Sequence, residues 1–116
     1  MGKAQRVKGH SFEREVARLL RDLDPSARRN VEEPQVAGCD IKTKLPLAIQ
    51  CKCLKNWSVL PHSILAQAAG GADSKEQIPV GIVRIDRKKP DLAILALADF
   101  LEILEALGPL LDEPLS

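Results

Sequence analysis

Residues 47–54, Leu-Ala-Ile-Gln-Cys-Lys-Cys-Leu, constrain the fold of this chain more than any other segment. A short apolar run that follows a turn signal at 44–46 predicts a strand inside a sheet. Because strand side chains alternate between two faces, the apolar face is predicted to consist of Ile49, Cys51 and Cys53. The opposite face carries Gln50 and Lys52 beside Ala48. Burying an unpaired ammonium costs several kcal/mol, so a polar environment is expected on that face.

The remaining patterns predict an α/β order of elements around this strand. A helix is predicted over 11–23, with Ser11 as its N-cap and an apolar stripe at helical spacing. Strands are predicted at 28–31, 38–43, 47–54, 78–85 and 92–97, and two further helices at 61–69 and 99–107. The 38–43 and 47–54 strands are expected to form a hairpin through the turn at 44–46. This order predicts a single domain with a central mixed β-sheet flanked by helices.

Length and composition limit the classes to which the chain can belong. Its 116 residues, 45% of them apolar, fit one compact domain at 9–108, preceded by a basic N-terminal arm (1–8) and followed by a tail (109–116). No apolar run is long enough to span a membrane, and no signal peptide is recognised, so a cytoplasmic location is expected. Three aromatic residues make a stacking platform for single-stranded nucleic acid unlikely to be the binding mode.

Charge is distributed unevenly along the sequence. Residues 1–55 contain 12 Lys and Arg against 7 Asp and Glu, whereas residues 56–116 contain 5 against 9. The basic half includes the strand that carries Gln50 and Lys52. This asymmetry favours a polyanion-facing side on the first half of the chain.

Asp40, in the preceding predicted strand, is the natural partner of the polar pair. A carboxylate, an amide oxygen and an ammonium at Asp40, Gln50 and Lys52 fit a Mg²⁺ ion held by few protein oxygens, with substrate phosphate completing its coordination. The lysine would stabilise charge on the phosphate or help to activate water. The alternative is a solvated lysine and glutamine beside a minor surface salt bridge, and these three residues alone leave both interpretations open.

The order of these motifs resembles the PD-(D/E)-x-K nuclease superfamily, in which an aspartate opens one strand and (E/Q)-x-K follows in the next. Lys8-Gly9, followed by Phe12-Glu13-Arg14-Glu15 at the head of a helix, is similar to archaeal and phage Holliday-junction resolvases. The resemblance covers roughly residues 6–85. It implies a restriction-endonuclease-like core.

The resemblance also implies roles for individual residues. Glu13 would be the helix-borne acid, Asp40 the central metal ligand and Lys52 the catalytic lysine. Gln50 would take the place usually held by Glu, and the Cys51 backbone carbonyl would be a further metal ligand. The expected cofactor is Mg²⁺, with Mn²⁺ as a substitute and no small-molecule cofactor. Glu15 is the alternative to Glu13, but lies about 200° away around the helix.

Further polar residues are predicted to contact DNA backbone phosphates, with solvated charge as the alternative for each. They are Lys3, Arg6, Lys8, Arg28, Arg29, Lys55 and Gln67. Glu32 or Glu33 are weighed as a source of extra negative charge, and Trp57 as a DNA or dimer contact. Cys39, Cys51 and Cys53 are expected on the face opposite Asp40. A zinc site formed by these thiols with His10 or His62 is the less favoured interpretation, because C-x-C on one strand lacks zinc-knuckle geometry.

These inferences lead to three functional hypotheses. The first is a Mg²⁺-dependent endonuclease, a homodimeric Holliday-junction resolvase of a prokaryotic or phage-infected cell, that nicks four-way DNA junctions and leaves 5′-phosphates. The aliphatic C-terminal region is expected to form the dimer interface. The second is another structure-selective or restriction-like nuclease, since the motif does not determine specificity. The third is a nucleic-acid-binding module whose nuclease site has decayed, with Gln50 as the trace.

Overall fold

A computed structural model describes residues 3–31, 39–55 and 60–108, with side chains from Gly9 onward in the first of these ranges. The helices are α1 (Lys3–Leu20), α2 (Pro61–Gly70) and α3 (Leu97–Ala106). The strands are β1 (Arg28–Arg29), β2 (Ile41–Lys42), β3 (Leu47–Cys53), β4 (Ile78–Arg84) and β5 (Leu92–Ile94). The predicted order of elements and the α/β class are confirmed.

The central sheet has the order β3-β4-β5 and is mixed. β3 and β4 are parallel, with Gln50 opposite Gly81, and β4 and β5 are antiparallel, with Gly81 opposite Ile94. A parallel pair needs a crossover connection, and α2 lies in that connection between β3 and β4. The predicted mixed sheet is therefore confirmed for these three strands.

Helices α1 and α2 cover opposite faces of β3. The first face, predicted to be apolar, packs on α1 in a core of Phe12, Val16, Ala17, Ile41, Ile49, Cys51 and Val80. On the other face, Ala48 and Val83 are fully buried, as are Ile64 and Ala68 of α2. The alternation read from the sequence of β3 is confirmed, because Ile49 and Cys51 lie on the α1 side.

The predicted hairpin between β2 and β3 is wrong. β2 pairs with β1 in a separate two-stranded antiparallel sheet, in which Arg28 lies opposite Lys42 and Arg29 opposite Ile41. The 43–46 turn does not form a tight hairpin, because Asp24 accepts hydrogen bonds from the Thr43 hydroxyl and the Lys44 N–H, each at 2.7 Å. β2 reaches β3 through one backbone hydrogen bond, from the Asp40 N–H to the Ile49 carbonyl at 3.0 Å.

The boundaries of α1 also differ from the prediction. The backbone is helical from Lys3, so Ser11 is an interior helical residue and not an N-cap, and residues 3–8 belong to the helix rather than to an arm before it. The helix ends at Leu20, and Leu19 and Leu23 are 63% and 75% exposed instead of extending the apolar stripe. Nothing in residues 3–10 breaks a helix, because a single interior glycine is tolerated. None of the helices in the described ranges is long and apolar enough to cross a membrane.

Gly81 sets the distance between α2 and the sheet. A Cβ atom built at this position would lie 2.6 Å from the Ile64 Cγ2 atom, which is closer than carbon atoms approach. Ile64 is itself fully buried, so it has no free space into which to move. The absence of a side chain at Gly81 therefore allows α2 to seat on β4.

We expect Gly81→Ala to destabilise the fold by about 1–3 kcal/mol, because the added methyl group overpacks the contact with Ile64. Gly70→Ala is the matched control, since a Cβ there would have no neighbour within 4 Å and Gly70 has no positive φ. Urea denaturation of both variants measures the difference. Equal midpoints for the two variants would contradict this account of the α2 packing.

Candidate functional site

Asp40 occupies the point where β2 meets the outer edge of β3. Its N–H donates to the Ile49 carbonyl, and its carboxylate Oδ2 accepts the Cys51 N–H at 2.8 Å. The N–H and C=O groups of one strand residue leave on the same side of the strand. The Cys51 carbonyl, predicted as a metal ligand, therefore points out from the same edge of β3 as the N–H that Asp40 binds.

Burial is the main influence on the Asp40 carboxyl and raises its pKa. The hydrogen bond from the Cys51 N–H opposes this increase, the negative charge of Glu13 adds to it, and the positive charges of Lys52 and Arg29 oppose it. The charges of Glu13, on α1, and of Lys52, on β3, therefore both act on the Asp40 carboxyl. The sequence predicted these three residues as parts of one site.

Helix geometry separates the two candidate acids of α1. Glu13 lies toward Asp40 and accepts a hydrogen bond from the Arg29 guanidinium at 2.9 Å. Glu15 instead pairs with Arg84 at 2.6 Å, and this contact holds the pKa of Glu15 below its usual range. Arg84 also pairs with Asp91 at 2.9 Å and lies 4.6 Å from the Phe12 ring centroid. Glu13 is therefore the α1 carboxylate available to the Asp40 site.

Gln50 and Lys52 both lie on the side of β3 that faces α2. Gln50 is opposite Gly81 and Lys52 opposite Val83 in the parallel register, and both side chains are half-buried. Lys52 forms no ion pair within 4.0 Å with another residue of the described ranges, so its charge acts on Asp40 through space.

Arg29 was predicted to contact DNA phosphate, but its side chain is engaged with Glu13 and only 18% exposed. Lys55 and Gln67 are exposed, at the end of β3 and on α2. Arg28 is exposed on the β1–β2 sheet. The side chains of Lys3, Arg6 and Lys8 lie outside the described residues, as do Glu32, Glu33 and Trp57. The Glu13–Arg29 pair could not be read from the sequence, because it joins two elements 16 residues apart.

The thiols are divided between the two sides of β3. Cys51 is buried in the α1 core, and burial raises the pKa of its thiol. Cys39 donates to the Ala68 carbonyl of α2 at 3.7 Å, and burial also raises its pKa. The prediction that all three cysteines share the face opposite Asp40 is therefore wrong for Cys39, because the chain turns at Asp40 to enter β2. These protonated thiols fit apolar packing better than zinc binding.

The Mg²⁺ site predicted from the sequence consists of oxygen donors, which a hard cation prefers. Within 3–31, 39–55 and 60–108, no three His, Cys, Asp or Glu side chains form a group that could hold a metal ion. A Mg²⁺ site would instead combine the carboxylates of Asp40 and Glu13 with the Gln50 amide oxygen and the Cys51 carbonyl. Mg²⁺ commonly uses one or two carboxylates and keeps several waters. The repulsion between Glu13 and Asp40 is what a bound cation would relieve.

No protein-family model, curated protein or solved structure matches this chain. The resemblance to PD-(D/E)-x-K nucleases therefore depends on the sequence motifs.

We expect Asp40→Asn to raise the melting temperature at pH 7 in metal-free buffer. Since the native-state pKa of Asp40 is raised, its stabilising contribution is present below the ordinary value of 3.8 and is lost as pH rises through the native-state value. At pH 7 the charged form is therefore disfavoured in the fold, and a neutral amide removes that penalty. The gain should disappear as pH falls below 3.8.

Asp91→Asn provides the control of opposite sign. The hydrogen bond from Arg84 lowers the pKa of Asp91, so its contribution is present above 3.8 and is lost as pH falls through the native-state value. This variant should melt at a lower temperature than the wild type at pH 7. Thermal unfolding followed by circular dichroism between pH 3 and 8 measures both effects. An Asp40→Asn protein less stable than the wild type at pH 7 would refute the assigned environment of Asp40.

Proposed function

We propose that this protein is a Mg²⁺-dependent, structure-selective DNA endonuclease and, more specifically, a homodimeric Holliday-junction resolvase. The observation that carries the proposal is the desolvated Asp40 carboxylate at the edge of β3, with Glu13 and Lys52 in electrostatic range. A partly buried carboxyl with a raised pKa is typical of functional sites, and Mg²⁺ is commonly held by one or two carboxylates together with substrate phosphate.

The chain's own residues have distinct parts in this mechanism. Asp40 and Glu13 supply carboxylate oxygens. The hydrogen bond from the Cys51 N–H fixes the Asp40 carboxylate against β3. Lys52 places a positive charge where negative charge develops on the phosphate during attack by water. The bond between phosphorus and the 3′ oxygen breaks, which leaves a 5′-phosphate. Mg²⁺, when bound, supplies a Lewis acid and lowers the pKa of coordinated water.

Arg29 has a positioning part in the same proposal. Its guanidinium donates to the Glu13 carboxylate at 2.9 Å, and its positive charge partly opposes the burial that raises the pKa of Asp40. The hydrogen bond orients the Glu13 carboxylate. We therefore assign Arg29 to the organisation of the acidic pair rather than to direct DNA contact.

A second copy of the chain is the partner that we propose for α3. This helix has no buried residue, and its exposed apolar side chains are Leu97, Phe100, Leu101, Leu104 and Leu107. Soluble proteins rarely leave a contiguous apolar face of this kind uncovered. A two-fold dimer would cover it and would also present two identical sites to the two-fold symmetry of a four-way junction.

We expect Lys52→Ala to reduce cleavage at least a hundredfold, because it removes the cation that opposes charge on the phosphate. The assay incubates a labelled four-way junction and a duplex of matched sequence with Mg²⁺, with and without EDTA. Lys88→Ala is the control, since Lys88 is an exposed cation in the turn after β4. Paired nicks in the junction alone, abolished by EDTA and by Lys52→Ala, are the expected result.

The other outcomes separate the alternatives. Equal cutting of junction and duplex would identify a general or restriction-like nuclease. Junction binding without cutting in Mg²⁺ or Mn²⁺ would identify a binding module with a decayed site. Gln50→Glu distinguishes these further, because a functional site should cut before the change and should need less Mg²⁺ after it.

We expect the double change Leu101→Asp/Leu104→Asp to convert a dimer into a monomer, because it places two charges in the apolar face of α3. Leu23→Asp is the matched control, as Leu23 is 75% exposed in the turn after α1. Light scattering coupled to size-exclusion chromatography gives the mass of each protein. A wild-type mass of one chain at micromolar concentration would contradict the proposed dimer.

A further inference from the structure

A cluster of basic residues lies on the β1–β2 sheet and does not include Glu13 or Asp40. An open recess of about 280 Å³ is lined by Ser26, Arg28, Lys42, Thr43 and Lys44. Three of these five side chains are cationic, and all three are exposed. Arg28 was predicted to contact DNA phosphates, whereas Lys42 and Lys44 were assigned no role.

The strand register concentrates this positive charge. Arg28 and Lys42 are directly opposite each other in the antiparallel pair, and Cβ atoms at such positions lie about 5 Å apart. Like charges in this arrangement oppose strand pairing. Lys44 follows two residues after Lys42 in the adjoining turn. The recess therefore brings three cationic side chains onto one small surface.

The hydroxyl groups of the recess are oriented by a buried acid beneath it. Asp24 is 5% exposed and accepts hydrogen bonds from the Ser26 hydroxyl at 2.6 Å and the Thr43 hydroxyl at 2.7 Å. Asp24 also accepts hydrogen bonds from the backbone N–H groups of Ser26 and Lys44. These four bonds, with that of the Ser26 hydroxyl the largest influence, hold the pKa of Asp24 far below its usual range. Asp24 therefore remains ionised and keeps both hydroxyl hydrogens.

Because both hydroxyl hydrogens are donated to Asp24, they cannot bind an anion, and this limits the kind of anion that the recess can bind. A discrete phosphate site normally offers several converging donors, but Ser26 and Thr43 have no hydroxyl hydrogen left to give. The cations of the recess are the three exposed side chains of Arg28, Lys42 and Lys44, which attract an anion chiefly by their charge. Such a surface gains most of its affinity by releasing condensed counterions, and only a polyanion carries these. The backbone of a nucleic acid matches this requirement better than a free phosphate ion.

The position of the recess relates it to the site beside β3. Lys42, which lines the recess, follows Asp40 by two residues. An extended chain rises about 3.3 Å per residue, so the Cα atoms of Asp40 and Lys42 are roughly 7 Å apart. A DNA strand bound at Asp40 would have its neighbouring phosphates within reach of the recess.

We propose that Arg28, Lys42 and Lys44 form a contact surface for the phosphate backbone of the DNA, next to the scissile phosphate. This inference rests on the proposed nuclease function and extends it by assigning where the substrate continues beyond Asp40. It also assigns a purpose to Asp24, which orients the Ser26 and Thr43 hydroxyls and fixes the turn that carries Lys44.

The test measures DNA binding in EDTA, where cleavage cannot occur. Fluorescence anisotropy of a labelled four-way junction at several salt concentrations gives the slope of log K against log salt. We expect Lys42→Ala/Lys44→Ala to reduce the magnitude of this slope by about 2, since each lost phosphate contact contributes roughly 1. The control removes the same charge from the turn after β4 as Lys88→Ala/Lys89→Ala and should leave the slope unchanged.

A parallel titration with inorganic phosphate, followed by NMR of the Lys42 and Lys44 amides, distinguishes the two sources of phosphate. No saturable, variant-sensitive binding is expected, and its presence would overturn the polyanion assignment in favour of a discrete anion site. Equal slopes for the two double variants would overturn the contact surface while leaving the nuclease proposal intact. A wild type that binds no DNA would refute both. Circular dichroism confirms that each variant is folded.

Discussion

The candidate site depends on Asp40 acting simultaneously through its backbone and its side chain. Its N–H bonds to the Ile49 carbonyl, and its carboxylate accepts the Cys51 N–H at 2.8 Å. The Asp40 carbonyl in turn accepts a hydrogen bond from the Asn30 N–H at 2.8 Å, which links the end of β1 to the residue that contacts β3. Asp40 alone therefore makes the two hydrogen bonds to β3 that a paired strand would otherwise make. Its carboxylate lies at the edge of the sheet because it accepts the hydrogen bond from the Cys51 N–H there.

This arrangement makes the site electrostatically expensive before any ligand binds. Burial disfavours the charge on Asp40, and the nearby charge of Glu13 disfavours it further. Lys52 and Arg29 compensate only in part, since the net direction of the pKa is upward. A fold selected for stability alone would not place two acids here. The penalty is understandable if a cation and a phosphate occupy this edge during function.

Different surfaces of the molecule carry different parts of the proposed activity. The acidic pair, Lys52 and the basic recess lie on elements from the first half of the chain, which has the excess of Lys and Arg. Helix α3 belongs to the acidic second half and displays an apolar face. In the proposed function, the basic half of the sequence therefore supplies the residues assigned to DNA, and the acidic half supplies the helix assigned to a second subunit.

The sequence by itself determined the order of the elements, the two faces of β3 and the side of α1 that Glu13 occupies. These features follow from local periodicity, since apolar residues at strand or helix spacing must share a face. The sequence did not determine that β2 leaves β3 for β1, that Cys39 turns toward α2, or that Arg29 binds Glu13. Tertiary structure decided these three features. For β2, the reason is that Asp24, from a different part of the chain, accepts hydrogen bonds from the 43–46 turn. Side-chain hydrogen bonds between distant segments leave no periodic trace, so local patterns locate the candidate residues but not their partners.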